Sequence, residues 1–191
     1  STSLAPKNLV SWVTSNFASS DTTGVAEAWG YYPGSLSANA DGGNVETQAV
    51  LLYPAKKGQV ALLASGSIRA DKIIMSDADI SVLPGVLNPI RQPKKQQVFD
   101  LLQELEAGHA NTLLHKDDKD PVYIVAGKSI LPFSTTQGIA FTLNTPKQAR
   151  IHAGLDITNL NANMQHLSPS DLSTIAAGRK LNYTVNDSNI G

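Results

Sequence analysis

The stretch GHANTLLHKDDKD, residues 108–120, gathers more potential chemistry than any other part of the chain. It carries His109 and His115 together with Asp117, Asp118 and Asp120. Imidazole and carboxylate side chains in one loop can hold a metal ion or share a proton, so both readings have to be weighed. A calcium site needs about 6–8 oxygens converging at roughly 2.3–2.6 Å. Counted from Asp118 as a calcium loop, the glycine of the required turn is missing, and Ser129 stands where the bidentate glutamate belongs. For zinc, the separation of His109 from His115 fits neither a helical His pair nor a finger spacing. His109, His115, Asp118 and Asp120 therefore rank as weak metal candidates. The simpler expectation is a solvated turn opened by Asp120-Pro121.

Other motifs fail on similar grounds. Gly127-Lys128-Ser129 follows an apolar run like the end of a phosphate-binding loop, but Val122 occupies the place of its first glycine. His152, Asp156 and His166 could act as a base and its orienter only beside a nucleophile, and no G-x-S-x-G elbow is present. No catalytic residue is assigned, and no cofactor is expected.

Charge placement gives one further lead. Arg91, Lys94 and Lys95 in PIRQPKK open a stretch with the apolar spacing of a helix, 94–107, which ends in Glu104 and Glu106. Each such reversal of the helix dipole costs about 0.3–1 kcal/mol on an exposed helix. The cationic start is the expected contact for an anion, a protein partner or nucleic-acid phosphate.

The elements that position these residues read as follows. Helical spacing is expected over 7–18 and 94–107, and a third, short helix over 168–178 starts at Ser168-Pro169. A strand over 25–32 is followed by a polar loop, 34–45. Residues 46–53 and 59–68 look like a hairpin closed by Pro54–Gly58, and unbroken apolar runs in both arms imply cover on both faces. Further strands are expected at 72–75, 78–83, 121–127, 138–144 and 149–164, with 180–185 as an edge strand. No internal repeat stands out. The expected architecture is α+β, a mainly antiparallel or mixed sheet with three helices packed on it, in a single domain spanning 1–191. A β-sandwich or jelly-roll with decorating helices is the alternative.

Composition bounds the function. The chain has 191 residues, 41% of them hydrophobic, and no cysteine, which removes disulfides, thiolate catalysis and Cys-based metal sites. The net charge of −1 gives no global attraction to nucleic acid. No apolar run reaches the ~20 residues of a membrane span, and STSLAPKN lacks the layout of a signal peptide. Only 16% of residues are charged, while small polar residues abound. That balance leans to an extracellular, cell-surface or virion setting. The expected function is a non-catalytic structural or binding protein that works through its surface, such as a self-associating coat, secreted or envelope-associated subunit. Its expected partner is protein, including a second copy. The rivals are a small hydrolase using His109, His115 and Asp118, and a nucleic-acid-binding subunit acting through 91–95.

Overall fold

The computed structural model describes residues 2–3, 30–80, 110–136 and 138–184. These form three parallel sheets. Sheet I orders β1 (Thr2–Ser3), β4 (Val45–Thr47), β7 (Ile68–Ala70), β10 (Ile130–Pro132), β13 (Asp156–Thr158) and β16 (Lys180–Asn182). Sheet II orders β2 (Gly30–Tyr32), β5 (Val50–Leu52), β8 (Lys72–Met75), β11 (Phe141–Thr145) and β14 (Leu160–Met164). Sheet III orders β3 (Ser35–Ala40), β6 (Gln59–Ala64), β9 (Val122–Ala126), β12 (Ala149–Ala153) and β15 (Thr174–Ala177). Every strand pairs with the third strand before it or after it. The backbone therefore visits three sides and returns one rung further on, as a three-sided parallel β-solenoid.

Local sequence explains each side. Inward apolar residues alternate with outward polar ones in β3 and β12, as where Leu36, Ala38 and Ala40 are buried between exposed neighbours. Register then stacks like on like. Ala40, Ala64, Ala126, Ala153 and Ala177 form one column, and Leu62, Ile124, Ile151 and Ile175 the next. On sheet I, Val45, Ile68, Ile130, Ile157 and Leu181 line up in the same way. Each fully buried Leu or Ile in such a column contributes about 1.5–3 kcal/mol.

The corner between sheets III and I depends on glycine. Gly127, Gly154 and Gly178 each follow a column alanine, and their amides donate to Ala64 O, Ala126 O and Ala153 O at 2.8–2.9 Å. A Cβ on Gly154 would overlap Gly127 O, and one on Gly178 would overlap Gly154 O. Close stacking of backbone on backbone, rather than an unusual φ, is what demands glycine here. The Gly127-Lys128-Ser129 motif is this corner, not a phosphate loop.

The α+β expectation is overturned, and the sandwich or jelly-roll alternative falls with it. Among the described residues there is no α-helix, and every strand pairing is parallel. The expected helices 7–18 and 94–107 lie outside the described residues. The third is absent: 167–171 is a turn in which Asp171 Oδ2 accepts from the amides of Leu167 and Ser168 at 2.8 and 2.9 Å. The chain then enters β15, where the ladder to Arg150–Ala153 outweighs a local capping signal. The hairpin is also absent. Leu52 pairs with Met75 and Gln59 with Ser35, so β5 and β6 belong to different sides. Part of the polar loop 34–45 is in fact β3. The expectation of no repeat fails too, since the columns are a repeat in space.

The two ends of the solenoid differ. At β3 the inward side chains are at most 8% exposed. At the other end, Ile175 is 40% and Leu181 64% exposed, although each ends a column whose earlier members are buried. Among the described residues, the strands at both ends, β1, β2 and β3 as well as β14, β15 and β16, pair on one side only. There is also no helix long and apolar enough to cross a membrane among these residues.

Candidate functional site

The corner between sheets II and III is made in three different ways by successive rungs. Residues 53–58 turn from β5 to β6, a long insertion of 76–121 separates β8 from β9, and 146–148 turn from β11 to β12. The end of the insertion folds against the two flanking turns, and the buried charged side chains meet there.

Lys147 is at the centre. Its Nζ donates to Asp118 Oδ2 at 2.7 Å and to Gly58 O at 2.7 Å. His115 Nδ1 lies 3.3 Å from the same carboxylate oxygen, and Asp120 N donates to Asp118 Oδ1 at 3.2 Å. The side chains of His115, Asp118 and Lys147 are 1–2% exposed. Lys147 thus ties three successive rungs into one knot: the 53–58 turn, the end of the insertion and its own turn. Amide side chains extend the grip: Gln148 Nε2 donates to Lys119 O at 2.7 Å, and Gln59 Nε2 to Pro121 O at 2.8 Å.

The electrostatics follow from burial. Desolvation pushes the His115 pKa down, and Lys147 adds to that, against the opposing pull of the Asp118 hydrogen bond. His115 is therefore neutral at pH 7, with Nδ1–H donating to Asp118. For Asp118, burial alone would push the carboxyl up. The hydrogen bond and charge of Lys147, the Asp120 amide and His115 outweigh it and hold the group below its usual range.

Of the sequence candidates, the fold brings His115 and Asp118 together and leaves Asp120 exposed, contributing its backbone. Residues 110–120 are a turn, as expected, largely exposed, but His115 and Asp118 within it are buried. His109, Arg91, Lys94 and Lys95 lie outside the described residues. Asp156 is engaged by Arg179, whose Nε donates to Oδ1 at 2.8 Å, and His166 by Ser173 at 2.9 Å, so neither serves the other. Lys147 was missed because Thr145-Pro146-Lys147-Gln148 has the composition of an ordinary surface turn. A lysine beside a proline gives no hint that its partner lies 29 residues upstream.

Chemically, the knot is a clamp. The oxygens of Asp118 and Gly58 that might receive a hard cation already receive the Lys147 ammonium. No group of three or more His, Cys, Asp or Glu suited to a metal occurs among the described residues. A His–Asp pair also needs a nucleophile and an open path for substrate, and this pair is sealed from solvent. Comparison with protein-family models, curated proteins and solved structures finds no match to this chain.

Proposed function

We propose that this chain is a non-catalytic structural or binding subunit that self-associates, with the rung of β14, β15 and β16 as its contact surface. The observation that carries the reading is the exposure of Ile175 and Leu181 at the ends of otherwise buried columns. A solenoid rung that exposes its apolar columns calls for a cover, and none lies over this one among the described residues. Beside these side chains, β14, β15 and β16 offer unpaired strand edges, which are templates for pairing with another chain.

The occupant that fits is a second copy. On β3 at the opposite end the inward Leu36, Ala38 and Ala40 are buried, so head-to-tail stacking finds no matching exposed apolar column on that strand. A two-fold arrangement instead sets the open rung against itself and closes as a dimer. One rung offers less than the ~800 Å² per partner of a standard interface, so a dissociation constant on the order of tens of micromolar is expected. Lys180 lies on the edge strand β16 and opposes close approach of two such ends. Added salt should therefore strengthen the dimer.

The sealed His115–Asp118 pair counts against the hydrolase alternative, and the 91–95 nucleic-acid contact lies outside the described residues. The test is hydrogen exchange at low and high protein concentration. Amides of 174–177 and 180–182 should gain protection as concentration rises, while those of β6 and β9 do not change. Identical exchange at both concentrations would remove the reading.

A further inference from the structure

An open cleft of about 360 Å³ lies on the outer face of sheet I, flanked by residues 134–136 and 138–139 and by Thr184 just after β16. It has a built floor. The residues following Ile68, Ile130 and Ile157 in register are Arg69, Leu131 and Thr158, and they form one outward row across three adjacent strands. With strands about 4.8 Å apart, this row places the guanidinium and the Thr158 hydroxyl about 10 Å from each other at their backbones. Among the described residues no hydrogen bond or ion pair engages Arg69, although Glu46 is its register neighbour on β4. An unpaired, half-buried guanidinium facing a cleft is a fork of donors without an acceptor.

The walls add hydroxyls and one strained residue. Thr136 belongs to the flanking segment 134–136, and Thr184 closes the far side. Asn159 holds that side in place: its φ of 49° is in the left-handed region, and its Oδ1 accepts from Thr184 N at 2.7 Å and Thr184 Oγ1 at 3.1 Å. Non-glycine residues held in this region collect at ligand sites. Leu131 and Ile139 supply the apolar part of the lining.

We infer that this cleft binds an acidic sugar unit, a ligand with one carboxylate on a polyhydroxylated ring. Arg69 takes the carboxylate in a bidentate pair. The threonine hydroxyls, each both donor and acceptor, match ring hydroxyls, and Leu131 with Ile139 meets the C–H face of the ring. The volume sits at the small end of the ~300–1,000 Å³ range for ligand sites, which suits one such unit. The lining excludes other ligand classes by what it lacks. Among the described residues it has no aromatic ring to stack a base and no second cation for a phosphate chain. Strands β7, β10 and β13 are paired on both sides, so no free edge is available for an extended peptide.

The test uses the full chain with glucuronate as probe, followed by NMR shifts of the Arg69, Thr158 and Asn159 amides, with glucose and acetate as controls. Glucuronate should shift these amides saturably, and at least about tenfold more tightly than either control, as expected when a charge-assisted pair and neutral hydrogen bonds act together. Arg69→Gln should bring glucuronate down to the level of glucose, and Thr158→Val should weaken glucuronate while leaving acetate unchanged. Arg69 points outward, and an unchanged circular dichroism spectrum establishes that its variant folds. No saturable shift, acetate equal to glucuronate, or Arg69→Gln equal to the parent would each overturn the inference.

Discussion

Replacing Lys147 with methionine tests the clamp most sharply. The substitution keeps the length of the side chain and removes its charge. Asp118 then keeps the His115 and Asp120 donors but loses its 2.7 Å partner, and Gly58 O loses its own. Removing one member of a buried ion pair costs about 3–5 kcal/mol, because the other charge is left in a poor solvent. The segment 110–121 opens before the solenoid does, since its remaining ties are a few neutral hydrogen bonds worth about 1 kcal/mol each. Hydrogen exchange at the amides of Asp118 and Asp120 should therefore accelerate by roughly 10²–10⁴-fold, at about 1.4 kcal/mol per decade. Amides of β9 and β12 should change far less. Adding Asp118→Asn to the same chain should recover part of the loss, because it removes the stranded charge while keeping a side-chain oxygen for His115 Nδ1 and the Asp120 amide. Two results would refute the reasoning. One is exchange in Lys147→Met equal to the parent, and the other is a double variant no better than the single.

Two further predictions concern the corner and the histidine. Gly154→Ala should destabilise the chain beyond the ~1–3 kcal/mol usual for overpacking, since its Cβ would overlap the Gly127 carbonyl and backbone must move. Gly42→Ala, where nothing lies within 4 Å of the added carbon, should stay within about 0.5 kcal/mol; urea unfolding of both distinguishes a stacking role from a general intolerance of change. For pH, both shifts at the clamp are downward, so the unfolded chain binds protons more readily than the folded one and stability falls as pH drops. The His115 contribution is fully present above about pH 6.5 and declines below it, and that of Asp118 declines below about pH 4. In His115→Gln the decline near pH 6 should vanish while the one below pH 4 persists, as read from urea midpoints across pH.

Much of this fold was written in the sequence in a form that local reading cannot decode. The run Leu62 to Ile68 recurs as Ile124 to Ile130, Ile151 to Ile157 and Ile175 to Leu181, each with the column alanine in third place. The insertion 76–121 falls between the first two copies and hides the period. Clean apolar–polar alternation normally marks antiparallel sheets, because parallel ones are usually covered on both faces. A solenoid escapes that rule by wrapping its own core, so strands such as β6 and β12 are parallel yet one-sided. The cover on both faces expected of the two apolar runs holds at Leu51, which is 0% exposed, and fails at Leu63, which is 37% exposed on the outer face of β6. At the clamp, His115 and Asp118 were visible as a pair of interest. Lys147 was not, since its role depends on which turns the rungs stack together.

The most direct measurement of the self-association claim is size-exclusion chromatography with light scattering and dual-wavelength absorbance. It would compare the parent chain with Ile175→Lys/Leu181→Lys over a range of concentrations around tens of micromolar, at low and high salt. The parent should move from monomer to dimer with concentration, more readily at high salt, without nucleic-acid absorbance, and the double variant should remain monomeric throughout. A parent chain that stays monomeric at every concentration and salt, or a double variant that dimerises as well as the parent, would contradict the claim.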